Sequence, residues 1–259
     1  MTMPIFVVNL AESTERKERV QEQLDRIGLQ AEFFPAVRGK SLNAAELATH
    51  YDNSIFFRPL SPGEIGCALS HVFIYKEIIE RKYDYCLILE DDIVIDSRIS
   101  KVLDSIKTIV NPSSPEIILL TSLKEFSEND AIPLNVDNFR MVPVIRAGCT
   151  HGYIITNAGA RALYDFCYPI RKPADWWEIV QHLITLRGVD PFVIDWDTTS
   201  FESLITAGRV TSGNKGKKIG YFYKKITNRI SARFVWWKLR WKHGIVLRTI
   251  LGKTSSHIN

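Results

Sequence analysis

Short apolar runs alternate with stretches of helical period from the first residues to about position 195. Pro4 to Leu10 is a compact apolar run of strand length. From Thr14 polar residues dominate, but Val20, Leu24 and Ile27 recur three and four positions apart. That spacing predicts an amphipathic helix, stopped by Gly28. Ala31 to Val37 predicts a second strand, and Asn43 to His50 a short helix. Ser61, Pro62 and Glu64 form a helix start signal, with a hydroxyl cap, a proline at the first position and a carboxylate at the third. This helix should reach about Arg81. Ile99 to Val110 predicts another helix, and Glu116 to Thr121, Phe139 to Ile145 and Gly152 to Thr156 predict strands. Asn157 is expected to cap a helix through Ala160, Leu163 and Phe166. Asp175 and Glu178 repeat the capping pattern and predict a helix ending at Gly188, before a strand from Pro191 to Asp195. Strands alternating with helices imply an α/β fold with a mainly parallel central sheet.

The run Tyr85-Cys-Leu-Ile-Leu89 leads directly into Glu90, Asp91 and Asp92, and then Ile93-Val-Ile95 follows. The apolar part suits a strand buried on both faces, where three charges would cost far too much. The acidic triplet is therefore expected at the carboxyl end of the strand, on the lip of a crevice where open α/β sheets bind ligands. In extended chain Glu90 and Asp92 face one side and Asp91 the other. Clustered carboxylates there suit Mn²⁺ or Mg²⁺, and such an ion suits a diphosphate. The plainer alternative is a solvated strand end.

Composition is that of an ordinary globular chain, 46% hydrophobic and 24% charged over 259 residues. Cys67, Cys86, Cys149 and Cys167 show no CxxC spacing and are expected as reduced core residues, which suits a reducing compartment and disfavours structural zinc. The opening Met-Thr-Met-Pro lacks the basic start of a signal peptide, and no stretch of eighteen apolar residues occurs. The net charge of +4 conceals an asymmetry: after Glu202 there are thirteen Lys and Arg and no Asp or Glu. A boundary is expected near Thr211 to Gly216. It would separate a catalytic domain over 1–210 from a basic, helical segment over 211–259.

Several motifs occur in a fixed order. Val7-Val-Asn-Leu10 precedes a helix with Arg16 and Arg19, and Phe34-Pro-Ala-Val-Arg-Gly39 follows the second strand. Leu60-Ser-Pro-Gly-Glu-Ile-Gly-Cys-Ala-Leu-Ser-His71 precedes Leu87-Ile-Leu-Glu-Asp-Asp-Ile93, and Gly148-Cys-Thr-His-Gly-Tyr153 and Pro173-Ala-Asp-Trp176 come later. Over about residues 3–205 this order resembles glycosyltransferase family 25, lipooligosaccharide-biosynthesis enzymes with collagen-modifying relatives. The resemblance implies a GT-A, Rossmann-like domain, a nucleotide-sugar donor (usually UDP-galactose), a divalent metal and transfer with inversion to a β-linkage. By that likeness Asp92 would chelate the metal, and Glu90 would sit near the ribose or the metal.

The nucleotide would lie across the ends of the first strands, where backbone groups of Asn9, Leu10, Ala36, Val37, Arg38 and Gly39 can read the uracil and Gly39 permits close approach. Arg16 can reach a phosphate, or it lies on a solvated helix face. Ser70 and His71 are an unexpected polar pair in an apolar helix, with a satisfied core histidine as the alternative. Thr150, His151 and Gly152 suit the donor hexose. His151 is also a candidate Mn²⁺ ligand. Asp91 completes the donor-binding set. Inversion needs a base for the acceptor hydroxyl. Asp175, ahead of two tryptophans, is the choice over Asp195, Asp197 and Glu202, although it also suits a helix cap.

In residues 215–253 basic residues interleave with Tyr221, Phe222, Tyr223, Phe234, Trp236, Trp237 and Trp241. That pattern suits an anionic membrane surface. Packing on the body or on a second subunit, giving a homodimer, is the rival. Single-stranded nucleic acid is set aside because the body is acidic. The expectation is a hexosyltransferase acting on lipooligosaccharide at the inner face of a bacterial inner membrane, with UDP-galactose first and UDP-glucose second. A metal-dependent nucleotidyltransferase and a non-catalytic membrane scaffold are the rivals from other classes.

Overall fold

The computed structural model describes residues 3–53 and 58–197. The basic segment, its boundary near Thr211 and Glu202 lie outside these residues. β1 (Ile5–Asn9) is buried at every position, so its backbone groups must find partners in neighbouring strands. α1 (Thr14–Arg26) turns Arg16, Val20 and Leu24 inward, and the chain leaves it through Gly28 at φ +69°, a left-handed turn that costs glycine little. β2 (Glu32–Pro35) pairs parallel with β1. After α2 (Ala44–His50), α3 (Pro62–Glu80) opens on the reciprocal cap expected for it. Ser61 Oγ accepts the Glu64 N–H at 3.3 Å, and a Glu64 carboxylate oxygen accepts the Ser61 N–H at 2.8 Å. β3 (Tyr85–Glu90) is buried through Leu89 and ends on Glu90. β4 (Ile93–Ile95), α4 (Ile99–Lys107), β5 (Glu116–Leu119), β6 (Glu125–Phe126), β7 (Ile132–Pro133), β8 (Arg140–Arg146) and β9 (Gly152–Thr156) follow. α5 (Asn157–Cys167), β10 (Thr185–Asp190) and β11 (Ile194–Trp196) complete the described elements.

The main sheet has the order β2-β1-β3-β9-β5-β10-β8-β6, with β7 beside β8. β8 and β9 run against the other strands, so the sheet is mainly parallel. On one face α3 and α5 pack against Phe6, Ile88, Ile117 and Ile155. On the other, α1 and α4 cover Val7, Leu87, Leu89, Ile118 and Ile154. This is the expected mixed α/β architecture, with helices burying both faces. The antiparallel β9 matters most for the site. It puts Gly152 opposite Leu89, bringing the residues before β9 to the end of β3.

The structure departs from the expected elements at particular places. The pattern at Asp175 and Glu178 opens no helix: Asp175 lies in a turn, Trp177–Ile179 is one 3-10 turn, and β10 occupies residues 185–190. Both edges of β10 find ladder partners, in β5 and β8. A Cβ on Gly188 would stand 2.6 Å from Leu123 Cδ2 and 3.0 Å from Val144 Cγ2. Gly188 is thus a close-approach glycine in a strand, not a helix stop. The cap of α5 is Thr156, whose Oγ1 accepts the Gly159 N–H at 3.0 Å. Asn157 instead donates to the carbonyls of Ile78 and Tyr83 at 3.1 and 2.9 Å, tying α5 to the end of α3. The strand expected from Pro191 begins at Ile194 and pairs with β4 in a separate two-stranded ribbon. Cys149 is exposed, at φ +73° in the loop before β9, and Cys67 is intermediate, so only Cys86 and Cys167 are buried as expected.

Candidate active site

The acidic triplet lies at the carboxyl end of β3, where alternation along the chain divides it. Asp91 turns toward α1: Asn9 Nδ2 donates to one of its oxygens at 2.8 Å and Arg16 Nη1 to the other at 3.0 Å. Glu90 and Asp92 turn toward the loop before β9. Thr150 Oγ1 donates to Glu90 Oε1, His71 Nε2 lies 3.4 Å from that same oxygen, and His151 Nε2 lies 3.9 Å from Glu90 Oε2. Arg16 Nη1 also reaches Asp92 Oδ2 at 3.3 Å.

Charge and burial then set the protonation states. Burial raises Asp92 and the neighbouring Glu90 charge raises it further, to about 6, against the pull of His151 and Arg16. Burial alone would raise Glu90 as well. Contact with His71, the electrostatic pull of His151 and His71 and the Thr150 hydrogen bond outweigh it, leaving Glu90 at about 2. For His151 burial would favour the neutral ring, but a hydrogen bond with Cys149 and the charges of Glu90 and Asp92 hold it up, at about 9. At neutral pH the crevice holds ionised Glu90 and Asp92 beside a charged imidazole.

Glu90, Asp92 and His151 each offer one ligand atom within 4.8 Å of the others. Asp92 Oδ1 is buried and makes no hydrogen bond, an uncompensated acceptor on a member of this group. Two carboxylate oxygens and an imidazole suit Mn²⁺ once His151 has given up its proton, and on those terms the residues present fit such an ion.

Trp177 donates its Nε1–H to the Cys149 carbonyl at 2.9 Å and packs edge-on to Tyr153, fixing the loop that carries Thr150 and His151. The His151 ring stacks on Trp196, which is 55% exposed. The Asp197 N–H donates to the Asp92 carbonyl at 2.8 Å, and Arg19 holds the Asp197 carboxylate at 2.5 Å. Asp175 lies in a half-buried turn, and Lys172 Nζ donates to the carbonyls of Pro173 and Ala174 at 3.1 and 3.4 Å to brace it. The charges of Glu90 and Asp175 both act on the Cys67 thiol. Asp195 is exposed on β11, its Oδ1 accepting the Trp196 N–H at 2.9 Å.

Several groups expected to read the nucleotide are engaged within the protein. The Asn9 carbonyl accepts the Ala36 N–H at 2.9 Å, the Leu10 carbonyl accepts the Ser13 N–H at 2.8 Å, and the Val37 N–H donates to Ser70 Oγ at 2.8 Å. Gly39 makes its close approach to α3: a Cβ there would stand 1.7 Å from the Pro62 carbonyl oxygen. Arg38 pairs with Glu12 at 3.0 Å across the gap between the loops after β1 and β2. Arg16 is buried against Asp91 and Asp92, which overturns the solvated helix face offered for it. Gly152 leaves no room for a side chain, since a Cβ would meet Ile194 at 2.9 Å.

The sequence profile of glycosyltransferase family 25 (LPS biosynthesis protein) matches residues 2–177. The chain belongs to glycosyltransferase family 25. It is 31% identical over 173 residues to a glycosyltransferase 25 family member of Drosophila melanogaster, covering 61% of this chain and 27% of that protein. Over 169 residues it is 29% identical to human procollagen galactosyltransferase 2, covering 61% of this chain and 27% of that one. The chain thus spans just over a quarter of the length of these curated relatives. Among solved structures, a glycosyltransferase involved in the glycosylation of the major capsid of PBCV-1 aligns with a TM-score of 0.35 at 12% identity, over 64% of this chain and 66% of that one.

Cys67, Lys172 and Trp177 are the site's contributors that sequence reasoning missed. Cys67 and His71 are four positions apart and so share one face of α3, a spacing that was visible. Nothing local marks Lys172 or Trp177, since both act on backbone carbonyls.

Proposed function

We propose that this family 25 chain transfers a hexose, galactose before glucose, from a UDP-sugar to a lipooligosaccharide hydroxyl, with inversion to a β-linkage. The observation that carries the reading is the convergence of Glu90, Asp92 and His151 at the end of β3, with the orphaned Asp92 oxygen among them. The human relative's name supports galactose, and the family's description supports a lipopolysaccharide acceptor. Glu90, Asp92 and His151 would hold Mn²⁺ or Mg²⁺. When bound, the cation would offset negative charge on the departing diphosphate.

This chain's own residues supply the rest. Asp175 takes the proton of the acceptor hydroxyl as its oxygen bonds to the anomeric carbon, and UDP leaves with the electron pair of the broken bond. Thr150 and His71 keep Glu90 ionised and fixed. Asn9 and Arg16 hold both oxygens of Asp91, whereas Arg16 reaches only Oδ2 of Asp92 and leaves its Oδ1 without a hydrogen bond. Trp196, exposed above His151, offers a face for a sugar ring. The basic aromatic residues 215–253 would hold the enzyme peripherally at the inner membrane face.

Isothermal titration of UDP-galactose and UDP-glucose, with Mn²⁺ and with EDTA, tests the reading on wild type and Asp92→Ala. Metal-dependent binding lost in the variant is the expected result, and the tighter ligand names the donor. Absence of binding by either UDP-sugar would overturn it. Extension of a truncated lipooligosaccharide, but not of a collagen peptide, is expected in the acceptor assay.

A further inference from the structure

A second set of ligand atoms lies directly behind the first. Cys67, His71 and Glu90 also place one donor atom each within 4.8 Å of one another. Cys67 and His71 project from one face of α3, and Glu90 comes from the end of β3. His71 is 2% exposed, and its Nε2 is buried without a hydrogen bond, 3.4 Å from Glu90 Oε1. Its other nitrogen, Nδ1, is held by the Tyr153 hydroxyl at 2.8 Å, and that hydroxyl meets the Tyr75 hydroxyl at 2.9 Å. With a proton on Nε2 the ring makes the contact that holds Glu90 ionised; with Nδ1–H donating to Tyr153 instead, the Nε2 lone pair faces that carboxylate and a cation can take the proton's place. A hydroxyl chain behind the ring is also the kind of outer support that ligating histidines have.

We infer that Cys67, His71 and Glu90 form a binding site for a thiophilic divalent cation, Zn²⁺ by class, distinct from the hard-cation set at Asp92. Three protein ligands of sulfur, nitrogen and oxygen type match zinc sites that keep a fourth position open. The sulfur selects against Mg²⁺ and Mn²⁺. Binding as thiolate would release the Cys67 proton to solvent, and the thiolate and carboxylate together would neutralise the ion. Glu90 belongs to both sets, so filling one removes a ligand from the other.

Co²⁺ is the probe, because a cobalt–thiolate bond gives a near-ultraviolet charge-transfer band independent of any transferase activity. The wild-type chain should show this band, saturating at one equivalent and displaced by Zn²⁺. Cys67→Ser should lose it, and His71→Gln should weaken cobalt binding at least tenfold. Cys149→Ser and Asp92→Asn should keep it, and circular dichroism should show all variants folded. Should Cys67→Ser fail to fold, Cys67→Ala and the two retained-band variants decide. Overturning results are no band in wild type, a band that survives at position 67, or one lost in Cys149→Ser or Asp92→Asn. A failed UDP-sugar titration would refute the donor reading and leave this one standing.

Discussion

Ser70 Oγ accepts the Val37 N–H at 2.8 Å, so a buried hydroxyl inside α3 holds the loop that follows β2. The same hydroxyl donates to the Gly66 carbonyl at 2.7 Å. Nearby, a Cβ on Gly66 would stand 2.4 Å from the Val37 carbonyl oxygen and 2.6 Å from Gly39 N. The loop and the helix are thus packed backbone to backbone. Ser70→Ala should orphan the Val37 N–H and cost about 1–3 kcal/mol, read as a lower melting temperature. Gly66→Ala should cost at least as much, because backbone must move. A Ser70→Ala protein as stable as wild type would show that water replaces the hydroxyl.

Asp92 carries a stability burden with an unusual sign. Its folded value, about 6, lies above that of an exposed carboxylate. Between those values the folded state holds a proton that the unfolded chain has lost. This group's contribution is therefore complete at low pH and is lost as pH rises through about 6. Without metal, Asp92→Asn should melt a few degrees higher than wild type at about pH 7.5, a gain on the order of 1–2 kcal/mol that shrinks toward pH 5. The same variant should lose Mn²⁺ affinity. A variant less stable than wild type at both pH values would show that Arg16 needs the charge more than burial opposes it.

Asp175 caps no helix, so its carboxylate is spared that structural duty. Asp175→Asn should lower turnover by about 10²–10⁴-fold while leaving melting temperature and metal-dependent donor affinity near wild type. Retained turnover would move the base role to another acid, and a fall in donor affinity would make Asp175 a binding residue instead.

The basic residues after Glu202 make a prediction from charge alone. Wild type should float with vesicles rich in anionic lipid at low salt and be released as salt rises. The chain truncated after Asn214 should stay in solution. Equal flotation of both would end the membrane role of residues 215–253.

The legible parts of the chain were those where local chemistry and tertiary packing agree. The Ser61, Pro62 and Glu64 signal became α3, and Tyr85 to Leu89 became a buried strand ending on carboxylates. The division of Glu90 and Asp92 from Asp91 followed from strand alternation. The segment 175–188 was illegible because a capping pattern also fits a turn, and Gly188 answers to Leu123 and Val144, side chains distant in sequence. The solvated face offered for Arg16 failed for a related reason. Helical spacing put it beside Val20 on the inner face, but only the sheet shows that acids wait there. The loops around Asn9 and Val37 could be located from sequence, yet which of their polar groups were already satisfied could not.

The insertion of β9 between β3 and β5 has a consequence for how the chain folds as it is made. Thr150 and Glu90 are 60 residues apart in the chain. During synthesis the three carboxylates therefore emerge with Arg16 but before His151 and before the strand that closes the middle of the sheet. The early polypeptide carries a knot of like charge, which disfavours premature collapse there, beside an open strand edge that awaits a partner. When β9 threads home the imidazole arrives together with the ladders to β3 and β5, and β10, later in the chain, then closes the sheet between β5 and β8.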